Sequence, residues 1–262
     1  PAGASMLIIP WSAVKGKIFP LDMALDSVDD QYKGCRENMA NLVKTEYLKK
    51  ELKNSDEFNR AWKKSSEFIK PEDTLTDNHL KAIYVYTDQV FKDFNNDACS
   101  GKLNYENKSN KWYSLHFLLT DAIQILKEQN KCIKTYRGTK VRFGSFASLS
   151  RYPKTAMSFG TVSCFEILTC EGAEVTKYSK LPHESEVLIP PYEMLKVTAV
   201  KKKGQKGAWC NTVFILESSG RKSELNCALF KEPTNLTGLH ELDPSTSHFS
   251  YKNGSSMVLW GG

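Results

Sequence analysis

The stretch His183-Glu184-Ser185-Glu186-Val187-Leu188-Ile189-Pro190-Pro191-Tyr192-Glu193 sets two carboxylates two residues apart, runs directly into an apolar segment and stops at a proline pair. It reads as the start of a strand. Successive strand side chains point to opposite faces, so Glu184 and Glu186 are expected on one face with Cα atoms about 6.6–7 Å apart. Carboxylates that close resist joint ionisation and push one pKa upward, which suits acid/base work. The plain alternative is a solvated strand edge, and the choice depends on what the chain sets against that face.

Outward from this stretch the texture divides in two. From about residue 131 onward, short β-prone runs are separated by Gly, Pro and Ser, with candidate strands at 133–137, 140–143, 161–170, 173–178, 185–189, 195–202 and 212–217. Several are apolar on both faces, as in Val213-Phe214-Ile215-Leu216, which predicts two packed sheets. Before residue 131 the pattern is helical, with candidate helices at about 29–52, 56–68, 78–94 and 112–128. In the last of these, Leu115, Leu118, Leu119, Ala122, Ile125 and Leu126 follow the spacing of one buried face. Asn54-Ser55-Asp56 reads as a stop followed by a new N-cap, and 95–111, rich in Asn, Lys and Ser, as a loop. Helices first and strands afterwards indicate an α+β fold, an N-terminal helical half (about 19–130) packed on a two-sheet β core (about 131–230). One domain is expected over 1–232, with a loose tail over 233–262.

Composition narrows the setting. In 262 residues, 40% are apolar and 25% charged, enough for a sizeable core. The net charge of +6 is mild and spread along the chain, so no nucleic-acid partner is implied, and Lys201-Lys202-Lys203 reads as a solvated turn between strands. Seven cysteines, without a Cys-x-x-Cys pair or a His-rich cluster, point to disulfides rather than a metal. Asn-x-Ser/Thr sequences at Asn107, Asn235 and Asn253 agree with an extracellular location. No apolar run approaches the roughly 20 residues that span a bilayer. The chain begins with proline, as after removal of a signal peptide, and Met257-Val258-Leu259-Trp260-Gly261-Gly262 lacks a lipid-anchor signal. Membrane attachment is therefore not expected from the chain itself.

Three further motifs precede the glutamates. Tyr136-Arg137-Gly138 puts a permanently charged planar fork at a strand end, suited to phosphate oxygens or to a surface ion pair. Phe146-Ala147-Ser148-Leu149-Ser150 places two hydroxyls on one face of an extended segment, fit to orient a ribose or to satisfy a turn. Ser158-Phe159-Gly160 sets an aromatic ring beside a flexible glycine, suited to stacking or to plain core packing. Arginine, then Ser-x-Ser, then Glu-x-Glu is an informative order.

That order resembles the arginine-serine-glutamate signature of the vertebrate extracellular mono-ADP-ribosyltransferases. The resemblance runs over about residues 19–230, through Phe19-Pro20-Leu21-Asp22-Met23-Ala24, Asp29-Asp30-Gln31-Tyr32-Lys33-Gly34-Cys35, Val141-Arg142-Phe143-Gly144-Ser145-Phe146, Leu168-Thr169-Cys170 and the block Glu186 to Glu193. It implies an ADP-ribosyltransferase-like fold and an enzyme that takes NAD as co-substrate, with no metal, and moves ADP-ribose to arginine side chains of extracellular or cell-surface proteins. By the resemblance, Tyr136, Arg137 and Gly138 line the NAD site with Arg137 on the phosphates. Ser148 fixes the nicotinamide ribose, Phe159 packs near the nicotinamide, Glu186 is the catalytic carboxylate and Glu184 directs the reaction to arginine. It also implies bridges Cys35–Cys227 and Cys132–Cys170. Only ten residues separate Arg137 from Ser148, fewer than in relatives. That shortening motivates two alternatives, an NAD glycohydrolase and an inactive secreted binding relative.

Overall fold

The computed structural model describes residues 24–71, 74–127, 131–138 and 144–231. The candidate strand at 140–143, residues 19–23, the sequences at Asn235 and Asn253, and the tail lie outside these residues.

A helical layer comes first: α1 (Arg36–Leu42), α2 (Leu48–Asn54), α3 (Asp56–Ser65), α4 (Asp77–Val85), α5 (Phe91–Ser100), α6 (Lys102–Glu106) and α7 (Tyr113–Leu126). Ser55 caps α3 by accepting the Phe58 N–H at 3.2 Å, as Asn54-Ser55-Asp56 predicts. The expected helix at 29–52 begins only at Arg36, because Asp29 and Asp30 are spent as acceptors. Asp29 takes the N–H groups of Glu224 and Leu225 at 2.8 and 2.9 Å. Asp30 takes those of Tyr32 and Cys227, and the Tyr105 hydroxyl. With the Cys35–Cys227 bridge they strap the two ends of the described chain together. The expected loop at 95–111 instead contains the end of α5 and all of α6. Buried Phe94, Ala98, Cys99 and Tyr105 supply the tertiary contacts that override the weak helix propensity of Asn, Asp and Ser.

In α7, Leu115, Leu118, Leu119, Ala122 and Ile123 are all buried, each leucine contributing about 2 kcal/mol of transfer free energy. Its N-terminus is held by Glu51, a buried carboxylate that accepts the Ser114 N–H at 3.1 Å. Burial pushes Glu51 up to about 8. The folded state therefore retains a proton that the unfolded state loses near 4.5, so this group's stabilising contribution is complete at low pH and declines between about pH 4.5 and 8. Glu51→Gln is expected to flatten that part of the stability–pH curve and to be no less stable than wild type at pH 8; denaturant midpoints across the range check it.

The strands follow: β1 (Ile133–Gly138), β2 (Ala147–Ser150), β3 (Ser163–Thr169), β4 (Ala173–Glu174), β5 (Glu186–Ile189), β6 (Glu193–Lys202) and β7 (Thr212–Arg221), with helix α8 (Pro153–Met157) between β2 and β3. They form one continuous sheet, β4-β5-β2-β1-β3-β7-β6, which corrects the expectation of two. The reason lies at β1–β2. There the register is set at Tyr136–Ser150, whereas β1–β3 pairs over six positions and β2–β5 over four. Two well-paired halves are thus joined at a narrow seam, and the α+β architecture stands. The strand expected at 173–178 stops at Glu174, where Val175 begins a turn that accepts the Tyr178 and Ser179 N–H groups. The lysine run sits at the exposed β6–β7 turn.

Two large cores flank the sheet, beside a small third cluster at Cys164, Cys210 and Val213. One lies under the helices and includes Phe146, Ala173, Val175 and Leu188; the other collects Ala147, Leu149, Phe165, Ile167, Ile189 and Leu216. β5 feeds both and is buried throughout. Cys132–Cys170 ties the residue before β1 to the residue after β3, and Cys164–Cys210 ties β3 to the approach to β7.

Candidate active site

A cleft of about 320 Å³ opens at the seam between the two halves of the sheet. β1 supplies Tyr136, Arg137 and Gly138, β2 supplies Ser148 and Ser150, and β5 supplies Glu186. Glu184 stands at the turn before β5, and Phe159 at the loop after α8. The structure brings together every sequence-predicted site residue outside the disulfides.

The helical layer closes the other wall with Tyr86, Thr87, Asp88, Phe91 and Asn95. Four of these lie in or next to a π-helical turn, Tyr86–Val90, a wider winding often found at functional sites. The apolar spacing over 78–94 predicts an ordinary helix with one apolar side, and the polar run Tyr86-Thr87-Asp88-Gln89 inside that pattern is the mark of the change.

Glu186 is the most enclosed of the polar groups. Only 3% of it is exposed, the Ser179 hydroxyl donates to its Oε2 at 2.8 Å, and the Ser148 hydroxyl bonds the same carboxylate. Burial pushes its carboxyl above the usual range. The two hydroxyls pull it back, Glu184 adds to the rise and Arg137 opposes it. The like-charge effect expected from the sequence is therefore present, and smaller than burial. Arg137 donates through Nη1 to the Ser148 carbonyl, so the arginine and serine meet across the short connection between them. Burial disfavours the Arg137 cation, while Tyr86 and Glu186 favour it.

The Glu184–Glu186 geometry differs from a simple strand. Pro182–Glu184 is one turn of 3₁₀-helix, Ser185 takes a left-handed conformation at φ 49°, and β5 starts at Glu186. A turn, rather than strand alternation, brings both carboxylates to the cleft. Ser150 holds that turn by donating to the Glu184 carbonyl at 2.7 Å, and the Arg151 N–H donates to the Ser185 carbonyl at 3.0 Å. Lys180 fastens it to the helical layer through an ion pair with Asp88, and its N–H donates to the Thr87 hydroxyl at 2.9 Å. Ser179 was not foreseen, since nothing in Lys177-Tyr178-Ser179-Lys180 distinguishes it from an ordinary loop serine.

The opposite lip is set by close packing. A Cβ placed on Gly138 would lie 2.1 Å from the Gly160 carbonyl oxygen and 2.4 Å from that of Ala156, so only glycine lets β1 pass under α8 and its loop. Phe159, 57% exposed, stands at the rim of this lip and is not core. Asn211 and Thr212 donate to the carbonyls of Thr161 and Val162, and Trp209 packs edge-on to Tyr136 at 5.8 Å. The segment joined by Cys164–Cys210, a pairing the sequence left open, thus supports the lip from behind.

No group of His, Cys, Asp and Glu among the described residues is arranged to hold a metal. No helix among them is long and apolar enough to cross a membrane.

Against known proteins, a sequence profile of the NAD:arginine ADP-ribosyltransferase family matches residues 21–224. The T-cell ecto-ADP-ribosyltransferase 2 of Mus musculus is 34% identical over 231 residues, covering 80% of this chain and 77% of the relative. The GPI-linked NAD(P)(+)--arginine ADP-ribosyltransferase 1 of the same species is 33% identical over 245 residues, covering 81% and 74%. Among solved structures, the eucaryotic mono-ADP-ribosyltransferase ART2.2 superimposes with a TM-score of 0.66 at 29% identity, covering 79% of this chain and 97% of that one. A mutant of it in complex with NADH gives 0.67 at 28%, covering 79% and 99%.

Proposed function

Because the chain belongs to the NAD:arginine ADP-ribosyltransferase family, we propose that it cleaves NAD between nicotinamide and ribose and transfers ADP-ribose to arginine side chains of extracellular or cell-surface proteins. The observation that carries this reading is convergence. Arg137, Ser148 and Glu186 come from three different strands and meet in one cleft, with Glu184 on its wall. That convergence, despite only ten intervening residues, favours an active enzyme over an inactive binding relative.

Each residue then has a chemical task. The half-buried Arg137 cation meets the diphosphate of NAD with a fork of donors. Ser148, bound to both Arg137 and Glu186, keeps the two charges in register and offers its hydroxyl beside the ribose. Tyr136 and Gly138 shape the floor, and Phe159 at the rim offers a flat face to the nicotinamide. When the glycosidic bond breaks, its electron pair leaves with nicotinamide, which departs neutral, and positive charge develops on the ribose. Glu186, ionised and screened from water, stabilises that charge through a preorganised field. Glu184, at the wetter edge, receives the acceptor guanidinium through paired hydrogen bonds, takes up one of its protons and so frees a nitrogen to bond to the ribose carbon that nicotinamide leaves.

Glu184→Gln separates the two halves of the reaction. Transfer of labelled ADP-ribose to an arginine-rich protein is expected to fall at least about 10²-fold, with nicotinamide release retained. Equal transfer by wild type and mutant would remove Glu184 from the acceptor site. Release without transfer in the wild type would instead assign NAD glycohydrolysis.

A further inference from the structure

The turn that carries Glu184 is bound edge to edge to the segment that leaves β2. The Ser150 hydroxyl donates to the Glu184 carbonyl at 2.7 Å and accepts the Tyr152 N–H at 3.1 Å, while the Arg151 N–H donates to the Ser185 carbonyl at 3.0 Å. Tyr152 therefore stands one bridging hydroxyl away from the backbone of Glu184. From there the chain runs through α8 and its loop to β3, and Tyr152, Met157, Phe159 and Val162 along it are 60%, 40%, 57% and 49% exposed. Four of the ten exposed large apolar side chains among the described residues thus fall within 152–162, and a fifth, Phe91, lines the opposite wall of the cleft. The segment beneath them is well seated, since Ala156 is 1% exposed and its carbonyl lies close against Gly138. Neither the ring nor the hydroxyl of Tyr152 has a partner among the described residues. The charges here are of one sign. Residues 151–162 contain Arg151 and Lys154 and no acid. Arg151 is paired with Glu174 at 2.8 Å, and Lys154 has no ion pair among the described residues.

We propose that this face, centred on Tyr152 and Met157, is where the acceptor protein docks, and that it selects an arginine flanked by large apolar residues over one flanked by basic residues. The inference rests on the proposed transfer to arginine and names the substrate class of that site. An acceptor arginine that reaches Glu184 lays its neighbours in the chain on the surface beside that glutamate, because an extended segment advances only about 3.3 Å per residue. Apolar neighbours are drawn from water onto Tyr152, Met157 and Val162. Tyrosine suits such a rim with its apolar ring and wet hydroxyl, and methionine adapts to side chains of different shape. Basic neighbours would meet Lys154 and find no acid among residues 151–162 to offset it, so the same face rejects them.

The test compares three short peptides, each with one arginine, flanked on both sides by leucine, by serine or by lysine. Wild type is expected to modify the leucine-flanked peptide with kcat/KM about 10-fold above the serine-flanked one, and the lysine-flanked peptide least. Tyr152→Ser combined with Met157→Ser is expected to erase the leucine preference through KM while leaving nicotinamide release without peptide unchanged, and Tyr152→Phe to keep it. No leucine preference in wild type, or an undiminished one in the double variant, would overturn the proposal. Direct binding of the fluorescent leucine-flanked peptide separates the docking face from the reaction. Tighter binding by wild type than by the double variant, without NAD cleavage, would overturn the proposed function and uphold the face. NAD cleavage with equal or absent peptide binding in the two would overturn the face alone. A wild-type dimer in sedimentation that the double variant dissolves would assign the face to a second copy of the chain and overturn the proposal.

Discussion

Replacing Glu186 with glutamine is expected to lower nicotinamide release and transfer to arginine together, on the order of 10³-fold, and to leave the fold at least as stable as wild type. The first part follows from charge. In the proposed reaction the cation that develops on the ribose has Glu186 as the enclosed anion beside it, and glutamine fills the same space without that field. The second part follows from burial. The Glu186 carboxyl is pushed above its ordinary range because ionising it in a dry site is unfavourable, so the neutral amide relieves a penalty that the folded protein carries at neutral pH. The sign of the pH effect is fixed by the same shift. Stability associated with this group is complete when it is protonated and declines as pH rises through its raised pKa, whereas activity requires the ionised form and grows over the same window. Wild type is thus expected to gain activity while losing some stability there, and Glu186→Gln to do neither. Nicotinamide release and thermal unfolding, each followed across pH, check this. A glutamine variant that retains cleavage, or that unfolds markedly earlier than wild type, would remove Glu186 from the central role.

The second large effect belongs to a residue with no side chain. Gly138→Ala puts a methyl group 2.1 Å from one backbone oxygen and 2.4 Å from another, and neither is the end of a flexible side chain that can swing away. Either β1 withdraws from the sheet or α8 and its loop lift. Overpacking of this kind costs about 1–3 kcal/mol, which for a chain of this size lowers the melting temperature by about 2–4 °C per kcal/mol. Because the same movement displaces Arg137 on one side and Phe159 on the other, NAD affinity is expected to fall more than about 10-fold even in the molecules that remain folded. Gly204→Ala serves as the comparison. It has a left-handed φ of 93° and no atom within 4 Å of the added carbon, so it should cost stability alone. Unchanged NAD affinity in Gly138→Ala would mean that the lip is not set by this contact.

The fold was legible in the sequence where periodicity and capping agree. The Ser55 cap and the apolar run of β5 appear in the structure as read, and α7 forms where its spacing places it, although it is buried all round from Tyr113 to Ile123 rather than on one face, with Ile125 and Leu126 only partly covered. It was less legible where a local pattern competes with tertiary contact. Asn, Lys and Ser at 95–111 describe a loop by propensity, and only the burial of Phe94 and Tyr105 makes helices of it. Asp29 and Asp30 look like the opening of a helix until the segment at 224–227 arrives to take their hydrogen bonds. At the site, Arg137, Ser148 and the glutamates could be found because chemistry and order in the chain both marked them. Ser179 and the π-helical turn at Tyr86–Val90 could not, because their meaning arises from what they face. Ser179 faces Glu186, and the turn lets Tyr86, Thr87 and Asp88 look into the cleft.

The placement of the disulfides has a consequence for how the two parts of the sheet respond to their surroundings. Cys132–Cys170 staples β1 to β3 at one end, and Cys164–Cys210 staples β3 towards β7 at the other, so the half bearing Arg137 is a cross-linked plate. Among the described residues, β4, β5 and β2 carry no staple, and the half bearing Ser148 and Glu186 is held by hydrogen bonds and packing alone. A reductant is therefore expected to loosen first the jaw of the cleft that carries Arg137, leaving the jaw that carries Ser148 and Glu186 to respond to whatever weakens hydrogen bonds and packing.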